Sequence, residues 1–365
     1  MQLPKEQRKI TFYSEGVNYW PHLEGLVKTL LNTSDIHICY ISSDDNDPGL
    51  LLENHKLHTF KADEGFVRNW LFENIETDIM VMTMPDLNQF QVKRSKHKVH
   101  YVYVQHSLVS LHMIYRKGAF DHYDTIFCAG PHHVKEIRAM EAKYNLPEKT
   151  LVEHGYARLD SIIQEAATRD KSKKDTTQPL HILIAPSWSD SGVIESGAGE
   201  KIVDLLILDG FKVTLRPHPQ TIKFAMKKID SILNKHSNCE LFNYEDNVAG
   251  QDSLHNSDIM ISDWSGAVFD YAYGLGRPVI FVDVPKKVNN ISYEEIGIEP
   301  IEISARDSMG QVLEIDNIDN ISDLIKETIS LKSVNPVFNP GNSSEVGAKE
   351  ILKILNELRV RSKST

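Results

Sequence analysis

Cysteine is scarce in this chain. The three present, Cys39, Cys128 and Cys239, lie far apart and form no CxxC pair. That argues against a disulfide framework and against the usual spacing of a zinc site. Cys39 and Cys128 stand inside apolar runs, as core thiols of a reducing compartment do. Long apolar runs are missing too, and none reaches the ~18–20 residues that cross a bilayer. The opening MQLPKEQRKITFY puts charges where a signal peptide needs an apolar core. These absences point to a cytoplasmic protein and leave open peripheral contact with the inner face of the cell membrane. Positive charge is in deficit, with 40 Lys and Arg against 51 Asp and Glu and a net charge of −11. That argues against nucleic acid as the main partner. No GxxxxGK[ST] occurs, so a P-loop is not expected. Gly197-x-Gly199 is too incomplete for a dinucleotide fingerprint.

The 365 residues suffice for two domains with full cores, and 41% apolar with 25% charged residues is ordinary for a globular chain. Strand and helix signals alternate. Strands are expected at 9–14, 37–42, 57–60, 78–84, 99–104 and 125–128, with helices at 21–31, from Phe66 to Ile75 and from His132 to about Tyr144. Arg169 to Gln178, RDKSKKDTTQ, is charged and without period, and reads as a linker. The alternation then restarts with strands at 181–185 and 211–215, helices at 200–208 and from 220 to about 235, a short helix at 251–256 and a weak strand near 300–303. Asn342 to Leu358 has strong helical spacing, with Asn342 and Glu345 placed for a capping box. The expectation is α/β: a first Rossmann-like domain over 1–168, a linker over 169–178, a second over 179–341, and a terminal helix and tail over 342–365.

The most informative stretch is Ile259 to Val284, IMISDWSGAVFDYAYGLGRPVIFVDV. It reads as strand, tight turn, helix, strand, a βαβ unit of a parallel sheet. The turn, Ser262-Asp263-Trp264-Ser265-Gly266, sets small hydroxyl residues at a helix N-terminus, where unpaired N–H groups suit an anion such as phosphate. A second anion-suited element is Arg216-Pro217-His218-Pro219: the prolines stiffen the turn, Arg216 offers a planar fork of donors, and His218 can donate to a phosphate or protonate a leaving group. His106, in Gln105-His106-Ser107, is the best general-base candidate of the first half. Ligands of doubly wound sheets bind beyond the carboxyl ends of strands, so His106, Ser187, His218 and Asp263, all at strand ends, are expected to share a cleft between two domains. Asp270 is placed to reach a ribose or to make an ordinary ion pair. Asp44-Asp45-Asn46-Asp47 resembles a metal-binding DxD but reads better as a local turn. His112, Arg116 and Lys117 read as solvated helix or loop residues. Glu15-Gly16 is a turn with an option to contact substrate.

Arg216-Pro217-His218-Pro219, the Ser262 to Gly266 knot with Phe269-Asp270, and Arg277-Pro278-Val279-Ile280-Phe281 together resemble the CDP-glycerol glycerophosphotransferase family, which includes teichoic-acid polymerases and primases and related capsule enzymes. Ala185-Pro186-Ser187-Trp188 and Gln105-His106 are also similar to that pattern. The resemblance runs from about Tyr101 to the C-terminus. It implies a GT-B fold and transfer of a polyol phosphate from a CDP-activated donor to a hydroxyl acceptor, with release of CMP. His106 would then be the acceptor's base and His218, with Arg216, would grip the pyrophosphate. Ser262, Ser265 and Gly266 would hold donor phosphate, and Ser187, Trp188, Asp263 and Asp270 the nucleotide. The chain departs where the family often has His-Gly and here stands His106-Ser107, and where a second Ser is replaced by Gly266. The implied reaction needs no cofactor and leaves a divalent metal, the acceptor (a lipid-linked glycan among the candidates) and the oligomeric state open. Two other readings share the same features: a GT-B glycosyltransferase using a nucleotide sugar, and a non-catalytic nucleotide-binding protein of a polysaccharide locus.

Overall fold

A computed structural model describes residues 3–63, 65–90, 92–169, 178–247 and 250–363. Thirteen strands are present among them. The first sheet comprises β1 (Ile10–Ser14), β2 (Ile38–Ser42), β3 (Leu57–Lys61), β4 (Ile79–Met82), β5 (His100–Val104), β6 (Thr125–Cys128) and β7 (Thr150–Glu153). The second comprises β8 (His181–Ile184), β9 (Lys212–Leu215), β10 (Phe242–Tyr244), β11 (Ile259–Ser262), β12 (Val279–Asp283) and β13 (Gly310–Glu314). Their orders are β3-β2-β1-β4-β5-β6-β7 and β10-β9-β8-β11-β12-β13. Every pairing is parallel. In both sheets the winding reverses after the first strand in sequence, the Rossmann order. Central strands such as β1, β4 and β11 are buried along their whole length. A parallel sheet covered on both faces requires that, and it is why these strands read as unbroken apolar runs.

The chain divides into two compact units. The first holds Met1–Ser161, Asn289–Ile298 and Val337–Thr365, the second Ile162–Val288 and Glu299–Pro336. The unit boundaries therefore differ from the sequence expectation in three places. The helix Ala157–Thr168 spans a boundary, residues 289–298 return to the first unit, and the terminal helix, Ser343–Lys363, belongs to the first unit's core rather than standing apart. Two glycines explain the last. A Cβ on Gly25 would lie 2.0 Å from Ser344 Oγ, and one on Gly347 would lie 2.4 Å from Leu26 Cδ2. Only bare backbone lets this helix seat so closely on the helix Trp20–Thr33, burying Ala348, Ile351 and Leu355 with Leu23, Leu26 and Leu30. The expected capping box is not what holds the helix start. Asp160 accepts from the backbone N–H of Gly341 (2.6 Å) and of Ser343 (2.7 Å) and from the Ser343 hydroxyl, so a distant carboxylate satisfies donors that a local residue was expected to cap.

Of the expected linker, residues 170–177 lie outside the described residues. Arg169, just before them, pairs with Glu165 at 2.5 Å and with Asp252. The expected strand near Pro300 is instead a short helix, Ile301–Ser304; with Pro300 before it and Ile301 buried, four residues of mixed polarity satisfy either period. The helix expected from Gln220 to Lys235 is two, Pro219–Phe224 and Met226–His236, broken at Ala225 with φ −124° and ψ 25°. β10 and β13 have no counterpart in the sequence reading. Among the described residues no helix is long and apolar enough to cross a membrane.

Candidate functional site

In the second unit the winding reverses between β8 and β11, and the loops leaving those two strands meet. The Ser262 hydroxyl, at the end of β11, donates to the Ala185 carbonyl (2.7 Å), and the Ser187 backbone N–H donates to Asp263 Oδ1 (2.7 Å). The two strand ends named from the sequence are thus joined at the switch point, where doubly wound sheets bind ligands. Asp263 is 2% exposed and its Oδ2 has no hydrogen-bond partner. Burial pushes its carboxyl up to about 6, against the opposing pull of Ser187 and Lys287. A buried carboxylate oxygen left without a donor is costly, and in a binding site it marks where a ligand hydroxyl or amine would land.

From β9 come Arg216 and His218. Arg216 is buried, and its Nη1 donates to Ser253 Oγ (3.1 Å) and to the Gly250 carbonyl (3.4 Å). Part of the expected phosphate fork is therefore engaged in holding the loop that leads to the helix Asp252–Asn256. His218 caps the helix Pro219–Phe224: Nδ1 accepts from the Gln220 N–H (3.1 Å). An accepting Nδ1 puts the ring proton on Nε2, so the neutral ring donates from its far side. Burial first, then the nearby Lys287 ammonium, hold it down to about 4. At neutral pH it is thus a hydrogen-bond donor rather than a reservoir of acid protons.

Ser265 and Gly266 begin the helix Ala267–Leu275, and Ser265 Oγ accepts from the Ala267 N–H (3.3 Å). Gly266, with φ −61° and ψ −21°, has ordinary helical geometry. Asp270 is buried in the first turn of that helix. Trp188 is half-buried, its ring 5.7 Å from that of Phe224. Arg277 closes the motif structurally: its Nη1 donates to the carbonyls of Leu254 (3.2 Å), His255 (2.7 Å) and Ser257. Two cations escaped the sequence reading. Lys287, beyond β12, acts on both Asp263 and His218, and burial holds its ammonium below the usual lysine range. Arg306 lies 3.7 Å over the Trp264 ring, with a buried Nη2 that has no hydrogen-bond partner. The strand-end position of Lys286-Lys287 was a usable signal for the first; nothing local announced the second.

In the first unit His106 follows β5. Tyr103 Oη lies 3.1 Å from its Nδ1 and Tyr115 Oη 3.2 Å from its Nε2, while its backbone carbonyl accepts from Tyr156 Oη (3.0 Å). The rings of Tyr19 and His22 stand 5.6 and 6.1 Å away. Burial pushes the imidazole down to about 4. It is therefore unprotonated at neutral pH, with one ring nitrogen able to take a proton and a hydroxyl at each end. His22, stacked on Tyr156 at 5.5 Å with an unpartnered buried Nδ1, was also missed. This ring of aromatic hydroxyls comes from four separate segments and has no sequence signature.

Gly16, after β1, has φ +149°, and a Cβ there would stand 2.9 Å from the Asp44 side chain. The acidic run acts as the turn expected of it. Asp44 accepts from the N–H of Val17 (3.1 Å) and Asn46 (2.9 Å), and Asp47 from Gly49 N–H (2.8 Å), Ser42 Oγ (2.7 Å) and Tyr40 Oη (2.9 Å). Among the described residues no group of three or more His, Cys, Asp and Glu is arranged to hold a metal ion. His112, expected in solvent, is fully buried: its Nδ1 meets Ser110 Oγ (3.0 Å) and Glu136 Oε2 (3.3 Å), and its Nε2 the Ile298 carbonyl (3.0 Å). It ties the returning 289–298 segment to the first unit, a role that only packing reveals.

Comparison with known proteins adds three findings. The family model described as CDP-glycerol:poly(glycerophosphate) glycerophosphotransferase matches residues 94–287, just over half the chain. No curated protein matches significantly in sequence. Many solved structures match in fold. The UDP-GlcNAc 2-epimerase of Methanocaldococcus jannaschii, solved with UDP-GlcNAc and UDP, superposes with a TM-score of 0.64 at 16% identity over 96% of this chain and 99% of that one. The S. aureus MnaA–UDP structure gives 0.63 at 12% identity over 96% and 97%. A sucrose-phosphate synthase of Thermosynechococcus elongatus gives 0.51 at 11% identity over 98% of both chains. These likenesses show the expected GT-B-type fold of two Rossmann-like domains.

Proposed function

Because the chain belongs to the CDP-glycerol:poly(glycerophosphate) glycerophosphotransferase family, we propose that it moves a polyol phosphate, glycerol phosphate or a close relative, from a CDP-activated donor to a hydroxyl acceptor. The observation that carries this reading is the strand-end cluster of the second unit, inside the matched span. There a donating His218 Nε2, the Lys287 ammonium and an unpartnered Asp263 oxygen belong to one charge-coupled group. On this reading His218, Lys287 and Arg216 take the pyrophosphate, with the N-terminus of the helix Ala267–Leu275 and Ser265 beside it. Ser262 and Gly266 shape that turn, and Asp263, Ser187, Trp188 and Asp270 serve the nucleoside.

In the transfer the acceptor oxygen bonds to the phosphorus that carries the polyol. The bond from that phosphorus to the oxygen bridging the two phosphates breaks, and the bridging oxygen leaves with CMP. The acceptor's proton passes to the unprotonated ring nitrogen of His106, whose tyrosine partners hold the ring. Catalysis here is by positioning and by neutralising charge that builds on the leaving phosphate. The reaction serves synthesis of a surface polymer such as a teichoic acid or capsule polysaccharide, and a lipid-linked acceptor would bring the protein to the inner membrane face. The exposed Phe66, Val67 and Trp70 on one helix, at 84%, 60% and 58% exposure, supply an apolar surface for that contact.

A thermal-shift screen of CDP-glycerol, CDP-ribitol, UDP-sugars and CMP-sialic acid tests the donor, followed by CMP release with the stabilising compound. Stabilisation by a CDP-polyol is expected. Stabilisation by UDP-sugars alone would instead favour a nucleotide-sugar glycosyltransferase, a reading to which the UDP in two of the similar structures lends support.

A further inference from the structure

The amino edge of the first sheet holds a cavity of about 560 Å³, lined by Lys5, Arg94, Lys98, His100, Arg359 and Arg361 together with Asp78, Asp124, Val99 and Leu358. Within the first unit it lies at the opposite end of β5 from His106. His100 starts β5 and His106 follows its end, six residues further on, which is ~20 Å at about 3.3 Å per residue. We propose that this cavity is a second anion site that takes the phosphate of a phosphodiester.

The charge argument is local. Five cationic side chains face two carboxylates in the lining, in a chain whose net charge is −11. Glu6 and Glu357 flank the cavity and temper the field without joining the lining. Arg94 and Asp124 form its frame. Arg94 Nη2 donates to Asp124 Oδ2 (2.9 Å) and to the Val99 carbonyl (3.1 Å), Asp124 Oδ2 also accepts from the Tyr101 N–H (2.7 Å), and the guanidinium lies 4.5 Å over the Tyr101 ring. Arg359 and Arg361 stand in the last turns of the helix Ser343–Lys363, where cations offset the helix dipole in any protein. Lys5 and Lys98 have no such duty: they come from the N-terminal turn and from the loop before β5, and both are exposed. Three separate segments thus converge their cations on one concave surface. His100 Nε2 is hydrogen-bonded to Thr125 Oγ1 (2.9 Å), and burial first, then Arg94 and Arg361, hold the ring below the usual histidine range. A bound anion would relax that last pressure.

A phosphodiester reaches this cavity from one of two sources, a soluble glycerol phosphate oligomer or the headgroup of phosphatidylglycerol. Neither requires the transfer reaction, so the site stands or falls separately from the proposed activity. The test compares wild type with Lys5→Glu/Lys98→Glu and with a control of equal charge change elsewhere, Lys227→Glu/Lys228→Glu. Affinity for a glycerol phosphate oligomer and for phosphatidylglycerol vesicles is measured at low ionic strength, where screening is weak. The pocket variant is expected to bind the oligomer at least tenfold more weakly while the control keeps wild-type affinity. Loss confined to vesicles also supports the site and assigns the headgroup as its source. Equal loss in the control, or no loss in the pocket variant, overturns it. Should the double variant misfold, the His100 ring resonances of wild type titrated with inorganic phosphate decide instead, and an unmoved signal sinks the proposal.

Discussion

The two histidines at the strand ends make a controlled comparison. Both follow a buried parallel strand, and burial holds both near a pKa of about 4. Their partners differ. His218 has Nδ1 committed to the Gln220 N–H, so its proton is held on Nε2 and the ring is a fixed donor. His106 has a tyrosine hydroxyl at each nitrogen, so its tautomer is free to exchange and a proton taken at one end has a path at the other. On the proposed reading, the same residue in the same topological position serves as an anion clamp in one unit and as a proton acceptor in the other. Burial sets the pKa, and the hydrogen-bond partners set the job.

The sharpest way to break that contrast is His106→Ala. Transfer should fall about 10²–10⁴-fold, the usual contribution of a general base; a loss within tenfold would remove His106 from the chemistry. Next, acid should unfold the protein over a defined window. His106, His154 and His218 are all held near 4, against ~6.5 when unfolded. The fold therefore binds fewer protons, and the stability present above pH ~6.5 is lost as pH falls toward 4, by on the order of 3 kcal/mol for the fully buried His154 alone. Melting temperatures from pH 7.5 to 4.5 measure it, and a flat curve would deny that the rings are buried neutral.

Asp263 has the opposite sign. Its folded pKa of about 6 exceeds that of the unfolded chain, so ionising it costs stability, fully above pH ~6 and not at all below ~4. Relative to wild type, Asp263→Asn should gain about 3 kcal/mol between pH 4 and pH 8 while losing donor affinity. Denaturant melts of both proteins at the two pH values would expose an error. The smallest effect is expected from His218→Asn, which can still accept from the Gln220 N–H but cannot reproduce the Nε2 donor. Loss of one charge-assisted bond weakens donor use about 10- to 100-fold, while the fall in rate expected on the acid side as His106 protonates near pH 4 stays unmoved. A pH–rate profile that shifts would show that the two rings are coupled.

Much of the candidate site's layout was legible because strand ends are legible. Ser187, His218 and Asp263 each follow a short buried run, and the rule that ligands gather at carboxyl ends needs no more than that. Arg216 was read for its chemistry, yet part of its guanidinium turned out to brace Ser253 and Gly250; a fork of donors looks the same in sequence whichever acceptor it meets. His112 was misread because its acceptors, Glu136 and the Ile298 carbonyl, lie 24 and 186 residues away. β13 escaped notice because its sequence, GQVLE, sets only Val312 and Leu313 between Gln311 and Glu314, so no unbroken apolar run marks it.

Local pattern alone decided the alternation of strands and helices, the burial of the central strands and the polar turns that end them, because period and turn chemistry act within a few residues. Packing decided the rest: the order of the strands, the Ser187–Asp263 bond across the switch point, the tyrosines around His106 and the seating of the terminal helix through Gly25 and Gly347. Each of these joins segments far apart in the chain, and nothing in a segment's own periodicity records which distant surface will exclude water against it.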